Sequence, residues 1–373
     1  MSELITSHDT SGDLRWQLLA TASALALCGT VFTGAANAQE SDRPTLWIEL
    51  GGQLQRVQAE QEAFAPAFTL ANLGKPYNFV SPLDIQRPPR QAFGGEGKIS
   101  FQPKGTDWVF SAAVSYGRSN GSKDVHQQTA TQKRVHFQSH FYTTSIPHFD
   151  DTDTSHRESH AIIDFAAGKD VGLGLFGHNS HSTFALGVRY AQFHANSNTV
   201  LRSGPDLFFP TNRKYEKPSH HQYYAHADID RSFSGIGPSV SLTNSMSVIG
   251  NPESGGVAFD WGANAALLFG RQKVRGTHET TMMYFKPIGC CATGFLPDGQ
   301  YAISASPRRS RSVIIPNVGG FAGLTFQRAD AKVSFGYRAD FFFGAMDGGI
   351  DARHTSTLGF YGPFASISIG LGG

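Results

Sequence analysis

Ala331-Lys332-Val333-Ser334-Phe335-Gly336-Tyr337-Arg338-Ala339-Asp340-Phe341-Phe342-Phe343 is the stretch that decides the fold. Val333, Phe335, Tyr337, Ala339, Phe341 and Phe343 fall on one parity, and Lys332, Ser334, Gly336, Arg338 and Asp340 fall on the other. A period of two marks an extended strand, because successive side chains point to opposite faces. One face here is free of charge while the other carries both signs. That suits a wall between lipid and a polar interior, since a charge at mid-bilayer costs about 2–4 kcal/mol.

The same alternation recurs along the chain. Leu46, Ile48, Leu50 and Leu54 alternate with Trp47, Glu49, Gly51 and Gln53, and Ile99 and Phe101 alternate with Lys98, Ser100 and Gln102. Further segments at 108–116, 161–167, 184–190, 233–242, 257–271, 318–326 and 363–371 bring the number to ten. Across the set, Glu49, Glu96, Lys98, Asp164, Arg189, Asp260, Lys332, Arg338 and Asp340 share the polar parity. The connections at 58–92, 120–157, 199–230 and 272–311 are long, those at 103–107, 172–181 and 327–331 are short, and 243–256 and 344–360 are moderate. Outer-membrane barrels show this asymmetry, with tight periplasmic turns and long external loops. Loops beyond about 15 residues are uncommon inside compact soluble domains. A sheet that spans lipid must also close, because an open edge would leave backbone N–H and C=O groups unpaired in hydrocarbon. The prediction is an all-β protein: a transmembrane antiparallel up-and-down barrel of about ten strands, within a range of about eight to twelve. Trp47, Trp108, Tyr116, Tyr190, Phe343 and Phe360 stand near strand ends, where they are candidates for interfacial girdles.

Composition agrees with strands. Glycine and phenylalanine are abundant, at 41 and 29 residues, and charged residues are only 16% of the chain. The 31 Lys+Arg nearly balance the 30 Asp+Glu, which removes the basic surface that nucleic acid requires. At the front, an apolar run from Leu18 to Phe32 is followed by Ala36-Asn37-Ala38. This reads as a signal peptide over 1–38 with an A-x-A cleavage site, leaving one barrel domain over 39–373. The poorly basic n-region leaves an uncleaved anchor as the alternative. A lipoprotein reading at Cys28 is weakened by Leu27 before it, where a small residue is wanted. After cleavage the cysteines are Cys290 and Cys291, side by side; a vicinal disulfide, two free thiols or a link to another chain are all open.

Several short motifs carry a family resemblance. Gly187-Val188-Arg189-Tyr190-Ala191, Gly235-Ile236-Gly237-Pro238 and Ala266-Leu267-Leu268-Phe269-Gly270 resemble segments of the Legionella-type major outer membrane protein family. So do Gly336-Tyr337-Arg338-Ala339-Asp340-Phe341, Met346-Asp347-Gly348-Gly349 and Tyr361-Gly362-Pro363-Phe364. The resemblance spans roughly 183–371, while the N-terminal half matches only in pattern. It implies a pore-forming barrel in the outer membrane of a Gram-negative cell. Such barrels usually end on an aromatic residue that the barrel-assembly machinery reads, whereas this chain ends Leu371-Gly372-Gly373.

The nine charges on the polar parity are the candidate pore-lining residues. They could border a narrow aqueous path or pair with one another and shut it. The pore reading expects passive diffusion of small polar solutes or ions, with the bilayer, its lipopolysaccharide and the assembly machinery as partners. An occluded barrel working through its loops as an adhesion or structural protein is the alternative. The 15 histidines invite a metal reading, above all His136/His140 and His156/His160 at i,i+4 spacing and Asp150, Asp151 and Asp153 nearby. In a strand that spacing spans roughly 13 Å, too far for one ion, so solvated loop histidines are expected. An outer-membrane enzyme using His194, His226 and Asp228 at the rim is a further option, but no nucleophile motif accompanies them. No catalytic residue, cofactor or metal is therefore expected.

Overall fold

The computed structural model describes residues 45–59, 91–137, 140–170, 180–206, 220–251, 255–287, 295–328 and 330–371. Pro44–Gly373 is one compact unit. The leader over 1–38 and the cysteines Cys28, Cys290 and Cys291 lie outside the described residues.

Eleven strands follow in order: β1 Thr45–Ala59, β2 Gln91–Gln102, β3 Trp108–Phe137, β4 His140–Asp170, β5 Ser180–Asp206 and β6 His220–Asn251. Then come β7 Gly255–Pro287, β8 Phe295–Ala305, β9 Arg308–Arg328, β10 Ala331–Asp347 and β11 Thr355–Leu371. Every pairing is antiparallel. Neighbours pair in sequence from β1 to β7, β9 takes the place beside β7, and β11 returns to β1. Ten strands therefore close the barrel, and β8 extends the wall beside the upper part of β7. Each of the ten alternating sequence segments became one barrel strand.

The outer face of the lower wall is apolar, as lipid contact requires. Phe184, Leu186 and Val188 on β5, Ile236 and Val240 on β6 and Phe335 and Tyr337 on β10 all stand exposed. Among the expected girdle residues, Trp108, Tyr116 and Phe343 are exposed on this face. Trp47 and Phe360 are not: both point inward, and Phe360 is buried.

The long loops at 120–157, 199–230 and 272–311 are largely strand, and this corrects the sequence reading. β3 runs 30 residues, about 100 Å of extended chain at 3.3 Å per residue. A tilted crossing needs only about 9–11 residues. The excess of β3 to β7 stands above the lipid. There water bathes the outer face, and the apolar parity turns inside out. On β5, Ala191, Phe193, Ala195 and Leu201 are buried inside, while His194 and Arg202 face out. On β6, Ala225, Ala227, Ile229 and Phe233 are inside and Asp230 is out. A search for an apolar outward face misses these stretches because their apolar residues have changed sides.

Candidate functional site

The interior of the barrel is the candidate site, and it changes character from bottom to top. At the periplasmic end a cavity of about 350 Å³ holds Trp47, Glu49, Lys98, Asp260 and Lys332. Lys332 Nζ lies 4.3 Å from the Trp47 ring centroid. Glu49 Oε1 accepts from Ser366 Oγ at 2.8 Å, and Asp260 Oδ2 accepts from Thr325 Oγ1 at 2.5 Å. Lys98 sits opposite Glu49 in the β1–β2 register.

A second cavity of about 170 Å³ continues upward and shares Glu96, Lys98 and Arg338 with the first. Its centre is Arg189. That guanidinium makes a two-pronged bond to Asp164, Nε to Oδ1 at 2.7 Å and Nη2 to Oδ2 at 3.0 Å. Nη1 donates to Asn264 Oδ1 at 2.8 Å and also to Asn317 Oδ1. Arg189 on β5 is thereby tied to β4, β7 and β9, well across the barrel. Arg338 pairs with Glu96 and lies beside the rings of Phe321 and Phe364, 5.8 and 5.2 Å from their centroids. Asp340 also lines this cavity. Its carboxylate occupies the space that a Cβ on Gly319 would take, so a glycine is needed opposite it.

All nine sequence-derived candidates thus line the two connected cavities. Glu96 with Arg338 and Asp164 with Arg189 form ion pairs. The planar two-pronged contact of Arg189 with Asp164 is the strong, directional kind.

Above the charges the interior becomes apolar. Phe193 lies 4.6 Å from Phe342, 5.7 Å from Phe233 and 5.8 Å from Phe360, centroid to centroid. The His160 ring packs on Phe360 at 3.9 Å and fills the space beside Gly117. These residues come from β4, β5, β6, β10 and β11, so the cluster bridges the whole cross-section.

The β10–β11 connection caps the cluster. Gly344 has φ +73°, a left-handed conformation that glycine adopts without strain. The register with β11 breaks between Phe342 and Met346, and residues 345–350 are buried in succession. Alternation ends there because the chain turns into the barrel. Asp347 accepts at Oδ1 from the N–H groups of Gly349 and His354, at 3.1 and 3.0 Å, and at Oδ2 from Arg309 Nε at 3.0 Å. Arg309 also donates to the carbonyls of Ile350, Asp351 and Gly349 at 2.5, 3.0 and 3.0 Å. Arg231, buried to 1% exposure, donates to the Asp347 carbonyl at 3.0 Å and to Ser197 Oγ at 2.7 Å. His278 Nε2 and Asp351 Oδ1 are 2.6 Å apart, and Ile350 packs with Ala227, Ile229 and Val274.

Sequence reasoning missed this plug. It read 344–360 as an external connection. Arg309 was legible only as a charge within the expected 272–311 loop, and Arg231 only as a charge between the 199–230 loop and the 233–242 segment. The one usable signal for Arg231 is its place on the parity of Ile229 and Phe233, which marks it as inward.

The histidines also depart from expectation. His156 and His160 are buried inside the barrel, not solvated in a loop. His126 does face water, 2.5 Å from Asp151. His194 is exposed, 4.0 Å from Asp230, and His226 Nε2 lies 3.3 Å from Asn198 Nδ2. Asp228 accepts from Asn196, whose Nδ2 also reaches Asp230. Burial and the facing Asp124 raise the Asp153 carboxyl above its ordinary value, on a stretch well above the lipid. The side chains of His136, His140, His148, Asp150, His220 and His221 lie outside the described set. Among the described residues no group of three or more His, Cys, Asp or Glu could hold a metal ion.

The Legionella pneumophila major outer membrane protein precursor family matches residues 89–370. No curated protein sequence matches the chain. Among solved structures, the outer membrane protease OmpT from Escherichia coli is 9% identical, with 90% of this chain and 99% of that chain covered and a TM-score of 0.32. The translocator domain of the autotransporter NalP from Neisseria meningitidis is 8% identical, with 94% and 97% covered and a TM-score of 0.21. The toluene transporter TodX from P. putida is 9% identical, with 90% and 91% covered and a TM-score of 0.16. These likenesses are too distant to carry an argument about activity. The strand order, the apolar outer wall and the family match over 89–370 lead to one conclusion: this chain is an outer-membrane β-barrel belonging to the Legionella major outer membrane protein family.

Proposed function

We propose that the protein is a narrow channel for small polar solutes or ions, shut in this conformation by the aromatic cluster and the β10–β11 connection. It is a conduit and not an enzyme. The observation that carries the reading is the pair of joined polar cavities, about 350 and 170 Å³, bordered by all nine inward charges. A barrel with a purely structural interior has no need for a charged, water-accessible vestibule. Among the described residues the path upward meets the cluster of Phe193, Phe233, Phe342, Phe360 and His160 and then the tethered loop. Glu96, Lys98, Arg189 and Arg338 would set ion preference, because a short charged constriction selects by sign. The test is planar-bilayer conductance of the refolded protein and of a variant lacking 348–353. Wild type conducts rarely and the deletion conducts in discrete steps. Silence from both, with a folded barrel confirmed by heat-modifiable migration, refutes the channel.

A second reading is favoured by the tall wall. β3 and β4 continue far past the lipid, and their outer face is polar over 118–126 and 151–159. In that reading the barrel is permanently closed and the wall is a platform for adhesion or for structural contacts. Cell binding abolished by removing the β3–β4 extension, with conductance unchanged, would support it.

A further inference from the structure

β9 and β10 part company on the outer surface. Their pairing ends at Asn317 and Phe342, while β9 continues along β7 as far as Arg308. Above the last pair, β10 shifts register against β11 and turns inward. The parting leaves a groove of about 970 Å³. Its lower rim is apolar: Phe269, Ile314 and Phe343 are 51%, 58% and 47% exposed. Its upper rim is cationic: Arg271, Arg311 and Arg353 line it.

The height of this groove matters. On β7 the outward row ends its apolar run at Phe269 and becomes charged at Arg271; on β9 the change falls between Ile314 and Ser312. The groove therefore straddles the upper border of the lipid-facing belt, on the side away from the short turns. That border meets the headgroups of the outer leaflet.

The arginines are available there. Among the described residues none of the three makes an ion pair, and Arg271 spends only Nε, on Ser310 Oγ at 2.7 Å. Guanidinium groups bind phosphate in a planar fork, and three of them above an apolar floor match a phosphorylated head carrying acyl chains. A soluble phosphate would leave Phe269, Ile314 and Phe343 unused. We propose that this groove binds the phosphorylated glycolipid of the outer leaflet, with Arg271, Arg311 and Arg353 on its phosphates and Phe269, Ile314 and Phe343 against its acyl chains. This site is independent of the channel reading, since it faces lipid and not the interior.

Native mass spectrometry of the detergent-purified protein tests it, with bisphosphorylated lipid A as probe. Its dephosphorylated form and a phosphorylated glucosamine disaccharide without acyl chains serve as comparisons. Lipid A should be retained at least tenfold better than either comparison. The triple variant Arg271→Gln, Arg311→Gln, Arg353→Gln should lose that preference, and the triple lysine variant should keep part of it. Phe343→Ser should weaken lipid A retention while leaving heat-modifiable migration intact. Equal retention of the dephosphorylated lipid, or an unchanged preference in the glutamine variant, would overturn the proposal. Equal retention of the chain-free disaccharide would also overturn it, by showing a free-phosphate site.

Discussion

Phe193 and Phe360 stand on strands that face each other across the barrel, yet their ring centroids are 5.8 Å apart. A ten-stranded barrel is just wider than the eight-stranded kind whose side chains fill the interior. Two aromatic rings, with Phe342 and Phe233 beside them, meet across the interior and form the seal that the proposed channel requires. Phe193→Ala with Phe360→Ala removes the seal. The double variant should lose several kcal/mol of stability, on the order of 3–5 per large core deletion. It should also show conductance well above wild type in planar bilayers. A folded double variant that stays silent would place the block elsewhere.

Arg309 and Asp347 form the second closure, 3.0 Å apart, with Asp347 6% exposed. Arg309→Ala leaves that carboxylate without its cation and frees three loop carbonyls. A cost on the order of 2–4 kcal/mol is expected, since breaking a buried pair leaves an uncompensated charge. The released loop should become a protease site near Gly348-Gly349 on intact cells. A cleavage pattern identical to wild type would show that the loop is held by packing alone.

Arg189 and Asp164 are register partners on β5 and β4. Arg189→Met should leave the half-buried Asp164 unpaired and lower the temperature at which heat-modifiable migration is lost. Arg189→Met with Asp164→Leu should recover much of that loss, because an apolar pair can replace a buried ion pair at little cost. Failure of the double variant to recover would mean that Asn264 and Asn317 depend on the guanidinium more than Asp164 does.

Above the lipid, alternation should be readable by chemistry. Asn196→Cys and Asn198→Cys place thiols on the outer face of β5, while Ser197→Cys and Thr199→Cys place them inside. A membrane-impermeant maleimide should label the first pair on whole cells and spare the second. Uniform labelling would contradict the continued barrel wall over 191–202. The same parity rule predicts that Leu186→Arg, facing mid-bilayer, costs about 2–4 kcal/mol.

The membrane-spanning part was legible because lipid imposes one demand on every strand. Phe335, Tyr337 and Phe341 lie on one parity and Arg338 and Asp340 on the other, and that contrast survives in any register. The nine inward charges followed from it directly. The extensions were hidden because water and lipid reverse the rule. Ala225, Ala227, Ile229 and Phe233 alternate like Phe335 and Tyr337, yet their face points inward and is interrupted by the buried Arg231. A segment flanked by His and Asp reads as a loop until its partner strand is known. The plug was hidden for another reason. Met346 to Ile350 follow no period, since their burial comes from Arg231, Arg309 and Ile229, far away in sequence. Trp47 and Phe360 were misread for the same cause, because an aromatic near a strand end can anchor outward or pack inward.

The reversed alternation of the upper wall has an immunological corollary. On β5 and β6, every second residue above the lipid is hidden inside, so a linear peptide copied from 191–202 or 224–234 presents side chains that the intact surface never shows. An antibody that recognises living cells must instead read a mosaic such as His194, Asn196, Asp228 and Asp230, assembled from two neighbouring strands. Folded protein, and not peptide, is the immunogen that this architecture demands.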